Sequence, residues 1–170
     1  KLLYYGMETG DDATLKAVNK GVDGEQAVEA GRRVTASGMK LSMMIILGLA
    51  GAEGSERHAL ATAKAINIIK PTHLSALCLM LYRGSELLDQ YEAGKFNPLS
   101  PAGLMRELKL IIENIDLPAD RHCLFRSNHV SNYVQLAATL PHDKQKLLRD
   151  IDYSIAQLSK LKSWDVYNHN

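Results

Sequence analysis

The sequence predicts an α/β fold built on a parallel sheet. Three observations carry that expectation. Short apolar runs alternate with helical periodicity along most of the 170 residues, each run ends in a glycine-rich or polar loop, and the central runs lack strict apolar/polar alternation. Parallel strands need crossovers, and the helical stretches between the runs supply them in the right-handed sense.

Residues 2–5 form the first run, which Gly6 is expected to end. Asp11 or Asp12 can cap a helix with Ala13, Leu15 and Val18 inward, stopping at Gly21. Gly24 opens a second helix through Ala27, Val28, Ala30, Val34 and Ala36 to Gly38. Residues 39–47, "MKLSMMIIL", read as a strand covered on both faces and stop in "GLAGAEG". Ala59, Ala63, Ile66 and Ile69 then keep helical spacing up to Pro71, and residues 73–82, "HLSALCLMLY", are the next buried-strand candidate. Ser100 followed by Pro101 is a cap with proline at the first helical position, opening a helix to about Ile115 with Leu104, Leu108, Ile111, Ile112 and Ile115 inward. A weaker strand, 122–126, precedes "SNHVSN". The chain closes on a helical pattern over 143–162, with Leu147, Leu148, Ile151, Ile155, Leu158 and Leu161 on one stripe, and a polar tail, "YNHN", expected to fray.

Composition narrows the function classes. With 46% hydrophobic residues the chain can bury a core, and 20 Lys and Arg against 19 Asp and Glu leave no field to attract nucleic acid or an anionic membrane. Cys78 and Cys123 are too few and too far apart for a disulfide scaffold or a closed zinc site. No apolar stretch resembles a membrane span or an export signal, so the expectation is a soluble cytoplasmic protein.

The chemistry-bearing signals lie in two glycine loops at strand ends, where parallel α/β sheets bind ligands. In "GMETG", Gly6 and Gly10 allow unusual backbone angles while Glu8 and Thr9 offer a carboxylate and a hydroxyl. Glu8 reads equally as a charge facing the dipole of the next helix, and Lys20 as a charge at a helix C-terminus. In "GLAGAEG", Gly48, Gly51 and Gly54 let a flat ring or backbone approach beside Leu47 and Leu49, although the spacing is not the dinucleotide fingerprint and a plain turn is the commoner meaning.

The ordered set "YYGMETGDDATLKAVNKG", "AGRRVTASGMKLSMMIILGLAG", "RHALATAKAINIIKPTHLSALCLMLYRGSELLDQYEAGKF" and "FRSNHVSNYVQLAATLPHDKQKLLRDID" resembles the second half of radical S-adenosylmethionine enzymes. The branch it is most similar to is that of iron–sulfur oxidoreductases related to oxygen-independent coproporphyrinogen oxidases and methylthiotransferases. The resemblance implies a partial TIM-type (β/α) barrel entered at about its fourth strand, so that residues 1–98 supply about three parallel strands and 99–170 a helical extension packed on them. It implies that Gly6, Glu8 and Thr9 contact the ribose and methionine part of S-adenosylmethionine, that Lys20 holds its carboxylate, and that Leu47, Gly48 and Leu49 line the adenine. Some relatives carry an acidic ribose contact within the fifth strand; the matching position here is Met44, which leaves the ribose to Glu8 or Thr9.

In the family a 4Fe-4S cluster sits on a Cys-x3-Cys-x2-Cys motif that nothing in this sequence matches, and Cys78 and Cys123 read as buried thiols. The resemblance therefore implies a fragment of a longer oxidoreductase. The parent would cleave S-adenosylmethionine reductively to an adenosyl radical that abstracts a substrate hydrogen, and the fragment alone would be inactive. Such a fragment is expected to expose apolar strand edges and to self-associate through them. Arg83, Arg126 and His129 stand near strand ends and could meet substrate; a surface ion pair for Arg83 and a satisfied loop network for "RSNHVSN" are the alternatives. His122, Cys123 and His129 make a poor metal set. His58 reads as a helix-surface residue, and Met39, Met43 and Met44 as core filling. The competing function is a non-enzymatic α/β interaction module that docks a partner with its C-terminal helix.

Overall fold

A computed structural model describes residues 1–160. In chain order the elements are β1 (Leu2–Glu8), α1 (Asp12–Ala17), α2 (Gly24–Ala36), β2 (Lys40–Leu47), α3 (Gly51–Ile69), β3 (His73–Cys78), α4 (Glu86–Glu92), α5 (Pro101–Asn114), β4 (Cys123–Ser127), β5 (Leu136–Leu140) and α6 (Lys144–Leu158). The five strands form one sheet in the order β1-β2-β3-β4-β5. The first four run parallel and β5 returns antiparallel to β4. Each crossover steps to the neighbouring position in the same direction, as in part of a TIM-type barrel. The predicted α/β class is thus the observed one.

Local chemistry explains the helix starts. Asp11 caps α1, accepting from the Thr14 amide at 3.0 Å. Asp23 and Gln26 form a reciprocal capping box at the start of α2, and Ser100 accepts from the Gly103 amide ahead of Pro101 at the start of α5. α3 ends on Lys70 in the left-handed conformation (φ 54°), one residue before Pro71.

One face of the sheet carries the core. Leu41, Met43, Ile45 and Leu47 of β2, Leu74, Ala76 and Cys78 of β3, and Cys123 and Phe125 of β4 are buried with Ala59, Ala63 and Ile66 of α3 and Met105, Leu108 and Ile112 of α5. The other face differs from expectation. Met44, Ile46, Ser75 and Leu77 are only half-buried, so β2 and β3 are fully covered on one side. α6 closes the far end of the core with Leu147 and Ile151.

Several boundaries move. β1 continues through Gly6 to Glu8, because glycine in an otherwise paired strand need not break it; the ladder absorbs Met7 as a register shift between Gly6 and Glu8. β3 stops at Cys78 rather than at 82. The β3–β4 ladder runs only as far as Ser75 and Arg126. Beyond it the Asn132 side chain takes the Ala76 carbonyl (2.8 Å) and Ser131 Oγ takes the Cys78 amide (3.1 Å), so side chains replace a strand partner. The stretch 99–160 supplies β4 and β5 to the same sheet as well as α5 and α6. Leu161, Lys162 and the polar tail lie outside the described residues.

Candidate functional site

The C-terminal ends of β1, β2 and β3 define the rim where the two glycine loops meet. At β1 the strand ends on Glu8, whose φ of 66° is rare for a residue with a side chain. That backbone turn lays the carboxylate back across Gly6, where a Cβ would collide with Glu8 Oε1. The chain then runs through α1, reverses at Asn19 (φ 52°) and Gly21 (φ 78°), and returns Lys20 to the same spot. Lys20 Nζ lies 3.0 Å from Glu8 Oε1, with the two side chains 32% and 23% exposed. The two charges brought together by the sequence reading therefore touch directly and remain open to solvent on one side.

A cleft of about 280 Å³ reaches this pair through Asn19, the residue before Lys20, and is lined further by Val18, by Leu49 from the β2 loop, by Leu79, Met80 and Leu87 from the segment after β3, and on its polar side by Ser85, Glu86 and Gln90. Glu8 and Lys20 are not among its lining residues. Leu49 thus faces an apolar opening next to the ion pair, whereas Leu47 is wholly buried in the core. Gly48 adopts φ 81°, a conformation strained for a residue with a side chain, and a Cβ there would sit 2.7 Å from Leu104 Cδ2, which would have to shift.

Thr9 and Gly48 point inward. Thr9 is wholly buried; its Oγ1 accepts the Asp11 amide (2.9 Å) and bonds His58 Nδ1 (2.8 Å). The Gly48 amide donates to Glu107 Oε1 at 2.6 Å, and Ser55 Oγ donates to Glu107 Oε2 at 2.5 Å. His58 Nε2 faces the same carboxyl at 3.6 Å, too far for a hydrogen bond, and is the one buried side-chain polar atom without a partner among the described residues. On the other side, Asp11 binds Arg57 Nε at 2.8 Å and Thr14 Oγ1 at 2.6 Å. The two loops are joined underneath by a polar network crossing α3 and α5.

Burial dominates the electrostatics of that network. It pushes Glu107 up to about 7 against the hydrogen bonds from Ser55 and Gly48, and it holds His58 down at about 4. His58 is neutral at physiological pH, so its approach to Glu107 is not an ion pair. Burial also opposes ionisation of Asp11, but hydrogen bonds from Arg57 and Thr14 outweigh it and keep the carboxyl below its usual range.

His58 is therefore not the helix-surface residue the sequence suggested. Sequence reasoning set His58 aside as a surface residue and did not single out Glu107, though each left a trace. Glu107 sits between Leu104 and Leu108 on the inward stripe of α5, and His58 stands on the buried face of α3 with Thr62 and Ala63. A carboxylate and an imidazole on apolar stripes are the signal.

The expected substrate contacts do not converge through any bond. Arg83 is exposed in the turn after β3, with no ion-pair partner among the described residues. Arg126 donates to the carbonyl of neighbouring Phe125 (2.8 Å), and His129 Nδ1 is bonded to Ser131 (2.9 Å). Asn132 also bonds Ser127 Oγ, so "RSNHVSN" is a hydrogen-bonded loop. Cys78 and Cys123 are free buried thiols pushed by burial to about 11 and about 12. Among the described residues no group of three or more His, Cys, Asp and Glu could hold a metal ion, so the residues present do not fit an iron–sulfur cluster. None of the described helices is long and apolar enough to cross a membrane.

No family model and no curated protein matches the chain. A solved structure similar to it is "The archaeal Methanocaldococcus infernus Elp3 with N-terminus deletion (1-46)", at a TM-score of 0.61 and 16% identity over 94% of this chain. The chain spans 36% of that structure's length. At that identity the likeness is one of fold: this chain is an α/β unit, arranged like part of a TIM-type barrel.

Proposed function

We propose that the chain is the S-adenosylmethionine-binding part of a radical S-adenosylmethionine enzyme, with Glu8 and Lys20 gripping the amino-acid end of the cofactor and Leu49 and Gly48 edging its adenine. The observation that carries this reading is the Glu8–Lys20 pair on the open rim, 3.0 Å apart and next to a largely apolar cleft edged by Asn19, Ser85, Glu86 and Gln90. A ligand bearing an ammonium and a carboxylate on one carbon is complementary to such a pair. Its ammonium replaces Lys20 at Glu8, its carboxylate replaces Glu8 at Lys20, and neither charge loses a partner. The cleft offers its apolar lining to an adenine ring. When bound, the cofactor supplies a sulfonium carbon–sulfur bond open to one-electron cleavage.

Thr9, whose hydroxyl is engaged with His58 and Asp11, acts on this reading by shaping the loop, and the ribose falls to Glu8. Leu47 anchors the β2 loop from the core. On this reading Arg83 is available to a substrate anion, and Arg126 of β4 and His129 of the loop after it are offered as further contacts. The likeness in fold to Elp3, a member of the radical S-adenosylmethionine family, supports the reading. So does the half-buried second face of the sheet, which corresponds to a barrel interior. The cluster that such chemistry requires would be held by residues outside this chain. The alternative of a helix-docking interaction module draws less support, because α6 spends Leu147 and Ile151 on the chain's own core.

The test is calorimetric titration with S-adenosylmethionine of the wild type, Glu8→Gln and Lys20→Met. Weak binding is expected, reduced about tenfold or more by either change, which corresponds to about 1.4 kcal/mol. Binding that neither change weakens would overturn the assignment.

A further inference from the structure

Thr9 after β1, His58 on α3, Glu107 on α5 and Gly48 after β2 lie on one line of contacts, with a single junction left unbonded. That junction is His58 Nε2 and Glu107 Oε1, 3.6 Å apart and closed to water. Two neutral-imidazole arrangements fit the donor and acceptor roles along the line. With Glu107 ionised, His58 carries its proton on Nε2, facing the carboxylate, and Nδ1 accepts from the Thr9 hydroxyl. With Glu107 protonated, its O–H faces a bare Nε2 and His58 Nδ1–H donates to Thr9 Oγ1, which has a second lone pair for the Asp11 amide. The two states differ by one proton taken from solvent, with the imidazole proton moved from Nε2 to Nδ1.

We propose that Glu107 and His58 are positioning residues that couple the two glycine loops: the ionisation of Glu107 sets the tautomer of His58, and with it the direction of the hydrogen bond to Thr9, while the same carboxyl holds the Gly48 amide. The relay is buried where α3 packs on α5, beneath both glycine loops. The charged and titratable groups around it do not change over the relevant range. Asp11, held below its usual range, stays paired with Arg57 beside His58, and the Cys78 thiol near Glu107 is pushed up to about 11. Glu107 is thus the group left to titrate near neutrality. That the coupled loops hold S-adenosylmethionine rests on the function proposed above; the coupling itself does not.

The test is two-bond proton–nitrogen NMR of the His58 ring in the full chain from about pH 5.5 to about 8.5. The expected result is an Nε2–H tautomer at the upper end and an Nδ1–H tautomer at the lower end. The midpoint should match that of the Glu107 carboxyl carbon and of the Gly48 and Asp11 amides. In Glu107→Gln the pH response of His58 should vanish. A single His58 tautomer throughout, or a carboxyl midpoint in the usual carboxylate range, would overturn the proposal on the wild type alone, whether or not the variant folds. Adding S-adenosylmethionine separates the two claims. A titrating relay with ligand-insensitive loop amides keeps the coupling and removes the ligand, whereas a silent relay removes the coupling whatever the ligand does.

Discussion

Replacing Glu107 by glutamine should expose a pH dependence of stability that the native pair conceals. Burial raises Glu107 from 4.5 to about 7 and lowers His58 from 6.5 to about 4. Between pH 4.5 and about 7 the folded chain keeps a proton on Glu107 that the unfolded chain has released, so this contribution is full below 4.5 and is lost as pH rises. For His58 the unfolded chain binds the extra proton between about 4 and 6.5, so stability rises with pH there. Over most of the shared interval the two slopes cancel. Glutamine preserves the shape and removes only the falling limb. At about 1.4 kcal/mol per pH unit for one unmatched proton, the stability of the variant minus that of the wild type should climb by roughly 3 kcal/mol between pH 4.5 and 7. Urea unfolding followed by circular dichroism across that range measures it, and subtraction removes the other ionisable groups. A difference that stays flat to within about 1 kcal/mol would refute a buried, proton-holding Glu107.

Three further outcomes follow from the geometry. Gly48→Ala combines a φ of 81° with a Cβ 2.7 Å from Leu104 Cδ2 and should cost about 1–3 kcal/mol, seen as a lower urea midpoint; an unchanged midpoint would contradict the tight turn. β1 is an edge strand with Leu2 43% and Tyr4 71% exposed, so sedimentation velocity should show concentration-dependent association that Tyr4→Lys reduces, and a monomer at every concentration would contradict it. Cys78 and Cys123 should react with an aromatic disulfide reagent far more slowly in the folded chain than in urea; equal rates would contradict their burial.

The layered pattern was legible because it depends on periodicity and punctuation. Ser100-Pro101, the stop before Pro71 and the run at 39–47 each carry a local signal that tertiary context does not reverse. β5 and α4 escaped for the opposite reason. Leu136, Ala138 and Leu140 alternate over only five residues, and their strand depends on β4 being alongside. The seven residues of α4 bury none of their side chains. At the rim, Glu8 and Lys20 were readable as a pair only through the family resemblance: Asn19 and Gly21 are residue types that favour a left-handed turn, but nothing in residue type marks the left-handed turn at Glu8 that lays its carboxylate toward Lys20. The inward turn of Thr9 and the His58–Glu107 junction come from three separate elements packing together, which no local pattern encodes.

A residue-resolved NMR titration with S-adenosylmethionine at millimolar concentration tests the central claim most directly. The account expects amide shifts concentrated at Gly6–Glu8, Asn19–Lys20 and Gly48–Leu49, and lost together in the Glu8→Gln, Lys20→Met double variant. Shifts centred on the groove between α2 and α3 near Arg32 and Lys64, or none at all, would contradict it.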